Sequence, residues 1–440
     1  MKTVEAQPLH RIGVVFLLIA ATVEFSARGP VRIEHSQSWN DFISPYIQSR
    51  LWVHGEDPYR SENLVRFWPA GATIPSFVLQ ESGDNRLIER RGVPSPYPPT
   101  SFVLLAPLAL LPWKTALWIW TGLSVVAIAV ALLALASVAG IGLSTLHGLL
   151  FLALCLGLAP LHTGLATANP AILGVALAVL ALWFAARRQD AFCGLLIAGS
   201  MCLKPTIGVC FLFFYLVARR LKVVASACGV SALIASLAVG RMTGVSWFTS
   251  YEIVTKHMFA VGSINDFTTA NPIWFQMLNL QGPVFVMTQD ASLANLIALL
   301  VGIALLTAWT VLKLSPKSGV RDLLAVSALS VISLVPAYHR LFDASLLILP
   351  VAWVFSLKKE TVSANSLLTI SLILPFLIPG AALVSQISDR LRIPQETLLA
   401  RWWQAIAIGH ETWCLLSLGI LLLYEMRGPA PTRTSNFEGR

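Results

Sequence analysis

The sequence predicts an all-α polytopic membrane protein of about 12 transmembrane helices of ~20 residues each, with a re-entrant or interfacial helix after a long first outer loop. Three observations predict it. Of the 440 residues, 56% are hydrophobic and only 12% charged, with a mean hydropathy of +0.72, whereas soluble domains carry about 25% charged residues. Apolar runs recur along the chain, and no hydrophilic stretch between them is long enough for a separate soluble domain. The basic residues cluster in particular gaps between the runs. A single domain spanning residues 1–440 is therefore expected, with 26–98 as its first outer loop and 428–440 as a disordered cytoplasmic tail, polar and proline-containing.

The first apolar run extends from Ile12 to Val23 behind Lys2 and Arg11. It has the outline of a signal peptide, but no clean Ala-x-Ala cleavage site follows, so a retained first helix is expected. Further runs lie near 99–112, 116–138, 146–160, 171–186, 191–203, 206–218, 223–240, 291–312, 323–337, 344–357, 364–385 and 409–424. Several fall short of the ~20 residues that a perpendicular span needs, which implies tilted, kinked or half-length helices.

Orientation follows from the positive-inside rule. Basic clusters stand at Arg187-Arg188, at Arg219-Arg220 with Lys222, at Lys313 with Lys317 and Arg321, at Lys358-Lys359, and at Arg427, Arg433 and Arg440. Placed in the cytoplasm with Lys2 and Arg11, these loops account for the whole net charge of +9. The charge is then a topology signal, and no nucleic-acid partner is needed to explain it. Residues 26–98, 241–290 and 386–408 fall outside, both termini inside. For Arg187-Arg188 to be cytoplasmic, runs 99–112 and 116–138 must make one net crossing. The first, with 14 residues ending at Pro112 before Trp113, is the one read as re-entrant or interfacial, so that it does not cross. The six cysteines all lie in apolar runs with no metal-ligand spacing, so they read as small buried apolar residues. No metal site or nucleotide-binding motif is read.

Polar residues on the outer side carry the chemistry. Asp41 directly precedes Phe42, with Trp39 and Tyr46 nearby. The aromatics would pack this loop onto the membrane surface and shield the carboxylate, and a shielded carboxylate there serves as a general base toward a hydroxyl. Gly55-Glu56-Asp57-Pro58-Tyr59 is turn chemistry, and Tyr97-Pro98-Pro99 stiffens the start of a helix. Lys204-Pro205 interrupts an apolar stretch at what the topology makes an outer end. A lysine at membrane depth either snorkels to the interface or faces an anion such as a phosphate, and the proline frees backbone groups that a cavity tolerates. Tyr338-His339-Arg340 with Asp343 lies on the same side. His339 and Arg340 suit a phosphate, while an Arg340–Asp343 pair three residues apart is the plain alternative. A carboxylate base and cations for an anionic leaving group are what sugar transfer from a lipid phosphate requires.

Assembled in order, these residues resemble glycosyltransferase family 87, polyprenyl-phosphate-mannose-dependent mannosyltransferases of the GT-C superfamily. The resemblance is carried by Asp41-Phe42 with Tyr46, by Gly55 with Asp57-Pro58-Tyr59, by Tyr97-Pro98-Pro99, by Lys204-Pro205, and by Tyr338 to Asp343 leading to Leu347-Ile348-Leu349-Pro350. It implies inverting transfer of a hexosyl residue, mannosyl in the family, from a polyprenyl-phosphate-linked donor to a glycan or glycolipid acceptor on the outer, periplasmic face of the plasma (inner) membrane. Asp41 would be the base. Tyr46, Asp57, Tyr59, Tyr97, Asn169, Lys204, His339, Arg340 and Asp343 would be substrate-binding, and neither a nucleotide sugar nor a cofactor would be used. The chain departs from the family pattern at Ala166-Thr167-Ala168-Asn169, where Gly-Gln-x-Asn is common and only Asn169 is kept. It departs again at Arg340, which stands where an aspartate often follows the histidine. Two other readings fit the composition: a secondary transporter or lipid flippase, though no internal repeat is seen, and a GT-C-type enzyme using another lipid-linked sugar such as a pentose.

Overall fold

The computed structural model describes residues 6–33, 40–70, 72, 76–81, 84–89, 93–244, 246–271, 273–315, 322–357, 363–378 and 380–428. Trp39, Lys317, Arg321, Lys358, Lys359 and the tail from 429 lie outside the described residues. The chain opens with the apolar helix α1 (Ala6–Arg28). The first outer loop then folds into short pieces: α2 (Ile43–Val53), α3 (Ser61–Arg66) and an antiparallel hairpin of β1 (Ser76–Glu81) and β2 (Asp84–Glu89). The hairpin is a small addition to a chain that is otherwise helical, as expected. The sequence of β1 and β2 is too polar to be read as a membrane helix, and Phe77, Val78 and Ile88 favour extended backbone.

Four helices among the described residues are long and apolar enough to cross a membrane: His10–Ile33, which continues α1 through a short 3-10 turn, α5 (Trp113–Ala139), α11 (Leu221–Arg241) and α14 (Ala291–Leu314). A fifth results if α6 (Leu146–Leu156) and α7 (Ala159–Ala166), bent by 47° at their junction, form one span. The protein is thus membrane-embedded. Where further crossings were expected, the chain forms shorter apolar helices: α4 (Pro99–Ala109), α8 (Pro170–Ala186), α9 (Asp190–Leu203), α10 (Pro205–Val217) and α15 (Asp322–Ser333). To these add the 3-10 turn Leu341–Leu347 running into α16 (Ile348–Phe355), and α17 (Ala364–Ile373). Prolines set several of these starts. Pro99, Pro170 and Pro205 each occupy a first-turn position, where the missing N–H costs nothing.

Two polar-flanked helices lie between α11 and α14, α12 (Trp247–Met258) and α13 (Gln281–Thr288). The chain closes with α18 (Gly380–Arg390), α19 (Gln395–Leu399) and α20 (His410–Glu425). The main core is built by α5, α8, α9, α10, α14, α15, α16 and α20 around Val175, Ile197, Phe211, Trp309, Leu329 and Leu418, all fully or almost fully buried. Trp309 donates its indole N–H to the Ala325 carbonyl at 2.7 Å, which satisfies its one polar atom inside the apolar packing. On α11 and α14, by contrast, Leu233, Leu237, Leu299 and Ile303 are more than half exposed, as fits faces turned to hydrocarbon. The same holds for Cys228 on α11, which is exposed rather than buried, because an apolar position in a membrane need not face the protein.

Candidate active site

Asp41 is placed by a clamp of backbone and rings. Its N–H donates to the Thr167 carbonyl at 2.7 Å, at the turn joining α7 to α8. Phe42 follows and is fully buried. It stacks on Trp120 of α5 with ring centroids 4.8 Å apart, and on Trp113 at 5.9 Å. The aromatic residues therefore pack onto α5, not onto the membrane surface, because α5 offers two indole faces where the loop meets the bundle. The turn itself is held open: Ala168 has φ of +52°, a left-handed conformation costing roughly 1–2 kcal/mol for a residue with a Cβ. Its carbonyl accepts from the Trp120 indole at 2.9 Å. Next in the turn, buried Asn169 caps α8 by accepting from the Ala171 N–H and turns its amide to Asp41, donating to Oδ2 at 2.7 Å. Thr167 serves through its carbonyl, which any residue supplies. Asn169 serves through both ends of its side chain.

A second charged group stands at the break between α9 and α10. Lys204 leaves helical geometry there, and its ammonium lies 3.2 Å from Asp343 Oδ1. Asp343 is fully buried. Its other oxygen meets His339 Nδ1 and the Arg340 N–H, each at 3.1 Å. The expected Arg340–Asp343 side-chain pair is not formed. Arg340 instead donates to the Tyr338 hydroxyl at 3.1 Å and to the Ile264 carbonyl at 2.7 Å. The reason is local: Leu278 N–H binds the His339 carbonyl at 2.9 Å, holding this stretch extended, and an extended residue projects its side chain away from the turn that follows. The arginine is received by a polar knot in which Asp266 accepts from Gly262, Thr268 and the Thr268 hydroxyl, while Asn271 donates to the Ile264 and Asp266 carbonyls. Asp266 and Asn271 thus shape a loop.

Tyr97 joins the two groups. Its half-buried phenol is pushed well above its usual pKa, first by burial and then by the electrostatic reach of Asp41, Tyr338 and Asp343, with Arg340 opposing. It therefore stays protonated at neutral pH. Asp41, Asp343 and Arg340 thus lie within electrostatic reach of one tyrosine.

The remaining expected residues lie in packing positions. Tyr46 is fully buried and donates to the Leu111 carbonyl at 2.7 Å, tying α2 to the end of α4. Asp57 is buried, accepting from the Tyr59 N–H at 2.9 Å and the Ser250 hydroxyl at 2.6 Å, which ties the first loop to α12. Tyr59 donates to the Tyr97 carbonyl at 2.6 Å. Two residues with no signal in the sequence matter to the geometry. A Cβ on Gly174 would stand 3.2 Å from the Lys204 Cβ, and one on Gly164 would stand 3.1 Å from the Phe342 Cβ. Among the described residues, no group of three His, Cys, Asp or Glu side chains comes together that could hold a metal ion.

Short apolar helices, with carboxylates paired to polar and cationic groups at their broken ends, define a membrane protein with buried polar groups inside its bundle. The family model described as glycosyltransferase family 87 matches residues 96–350, more than half the chain. The chain belongs to glycosyltransferase family 87 and is a membrane glycosyltransferase. Searches of curated proteins and of solved structures returned no match. Tyr97, Asn169, Lys204, His339, Arg340 and Asp343 fall inside the matched stretch; Asp41, Tyr46, Asp57 and Tyr59 precede it.

Proposed function

We propose that the protein transfers a hexosyl residue, mannosyl in the family it resembles, from a polyprenyl-phosphate-linked donor to a glycan or glycolipid acceptor, with inversion and Asp41 as general base. The observation that carries this reading is the pair of polar groups built at the helix breaks: Asp41 held by Asn169, and buried Asp343 held between Lys204 and His339. In the step proposed, an acceptor hydroxyl attacks the anomeric carbon and gives its proton to Asp41. The bond from that carbon to the phosphate oxygen breaks, and its electron pair leaves with the phosphate. Asn169 orients the carboxylate that takes the proton. Charge grows on the phosphate as the bond breaks, so fixed cations stabilise the transition state more than the ground state. Lys204 and Arg340 are the cations available, with His339 beside them as a hydrogen-bonding group. Because Asp343 engages His339 at Nδ1, the histidine's contact with substrate runs through Nε2.

The same reading places the site on the outer face of the plasma membrane, within a GT-C-type bundle of about 12 crossings, both termini cytoplasmic, and needs no nucleotide sugar. The test is transfer of radiolabelled mannose from its polyprenyl-phosphate carrier in membranes containing the wild type or Asp41→Asn. The amide keeps the shape and accepts no proton, so the rate should fall by about 10²–10⁴-fold while donor binding stays near that of the wild type. Transfer by the variant at the wild-type rate would return Asp41 to a structural role. Pentose transfer without mannose transfer would shift the donor and leave the chemistry.

A further inference from the structure

Beside the charged group, and not lined by Asp41, Asn169, Lys204 or His339, lies a cavity of about 790 Å³. That falls within the roughly 300–1,000 Å³ of ligand sites. It is bounded by the start of α3, by Val93 and Pro94, by one face of α12 and by residues 260–264. It touches the proposed reaction site at both ends. Tyr59 lines it, and the Tyr59 hydroxyl binds the Tyr97 carbonyl. Ile264 lines it as well, and the Ile264 carbonyl binds Arg340.

Its chemistry is mixed. Arg60, Glu62, Thr249, His257 and Ser263 offer hydrogen-bonding groups, while Val254, Met258 and Pro94 offer apolar surface. A polyprenyl chain here would strip water from the polar groups and give nothing back, at about 1–3 kcal/mol for each left unpaired. A sugar satisfies both kinds of wall, with hydroxyls toward the polar side chains and C–H faces toward the apolar ones. At the mouth of the cavity its lining residues Ile253 and Val261 are 61% and 81% exposed, and Phe248 on the same helix is 65% exposed, an apolar rim of the kind that rests on lipid. Asp57 stands behind the wall and binds both Ser250 and Arg60, so α12 is fixed to the first loop and the cavity is a built feature of the fold.

We infer that this cavity holds the glycan of a membrane-anchored acceptor, with its lipid lying along the apolar rim of α12. The inference rests on the transferase reading and adds the acceptor's seat to it. The acceptor hydroxyl would reach Asp41 past Tyr97, at the wall the two sites share.

The test uses the purified full chain in lipid nanodiscs and radiolabelled n-octyl α-mannoside as probe, with n-octanol as the sugarless control. Thr249→Trp fills the cavity from an exposed position on α12, and Glu62→Ala removes one polar wall group without adding bulk. Both sites are exposed, so both variants should fold, as gel filtration checks. Thr249→Trp should weaken mannoside binding by at least about tenfold, roughly 1.4 kcal/mol, and Glu62→Ala should weaken it measurably, with octanol binding unchanged in both. Equal mannoside binding by all three proteins, including none by any, would overturn the inference. So would octanol binding lost in parallel, which would make the occupant an alkyl chain. The two readings also fail separately. Normal transfer with an unchanged acceptor KM in both variants removes the cavity and leaves the transferase. A wild type that binds mannoside at this wall and transfers no sugar removes the transferase and leaves the cavity.

Discussion

Asp343 has no exposed surface, and its charged partner is Lys204, which changes what a substitution at Lys204 does. A lysine before a proline looks replaceable by methionine, since Met suits a membrane helix. With Asp343 beneath it, Lys204→Met removes a charge from a buried pair and leaves the other uncompensated, which costs about 3–5 kcal/mol. Lys204→Met should therefore melt well below the wild type, and adding Asp343→Asn should recover much of the loss without recovering transfer. A single variant as stable as the wild type would show that the pair is held weakly. Tyr59 gives a pH-dependent counterpart. Its phenol is raised well above its usual value by burial, then by Tyr251 and Asp57. A phenol held protonated in the folded state adds stability in full below the unfolded value of about 10, and loses it progressively above. Melting temperature should thus fall above about pH 10, and Tyr59→Phe, slightly less stable at neutral pH for want of its hydrogen bond, should show a flatter fall. At this scale the sequence displayed the residue types well. Asp41 does meet Asn169, and Lys204 and His339 do meet Asp343. Their pairing was not legible, because Asp343 has Arg340 three residues away in sequence while the backbone between them turns the guanidinium elsewhere.

Elements, more than single side chains, fix the distance between the two charged groups. The 3-10 turn Leu341–Leu347 packs on α7 and α8, and Gly164 is the point of closest approach: a Cβ there would meet Ile172 Cδ1 at 2.5 Å as well as the Phe342 Cβ. Gly164→Ala should push this turn away from α7, cost about 1–3 kcal/mol through overpacking, and reduce transfer by moving Asp343 and His339 relative to Asp41. Melting curves and transfer rates on the same preparation check it; full stability with a full rate would mean that the turn yields without displacing the site. A glycine inside an apolar helix carries no mark of what it lies against, which is why this contact could not be read beforehand. The broken character of the helices, by contrast, could be read from Lys204-Pro205 and from run lengths below ~20 residues. The hairpin of β1 and β2 was missed because it sits in a polar segment where hydrophobic periodicity, the main cue to secondary structure, is weakest.

For the whole molecule, the parity of the basic loops required one of two neighbouring runs not to cross. α4 has 11 residues, about 16 Å at 1.5 Å per residue, against a hydrocarbon core of about 30 Å. α5, with 27 residues, has length to spare. A cysteine introduced at Lys114 should react with a membrane-impermeant reagent from the outer side only; reaction from the cytoplasm only would overturn the orientation. Composition made the membrane class evident, and the alternation of basic clusters gave an orientation to test, but the inward packing of Phe42 against α5 depends on contacts between distant parts of the chain. The Lys204–Asp343 pair is the strongest example of such a contact, and it bears on how the protein is made. Translation runs at about 5–20 residues per second and Asp343 is roughly 140 residues behind Lys204, so the lysine emerges some 7–28 seconds before its partner exists. An unpartnered ammonium is costly in hydrocarbon, so the α9–α10 break stays near water until the carboxylate arrives. The insertion of the middle of the chain is thereby completed only when its last third has been synthesised.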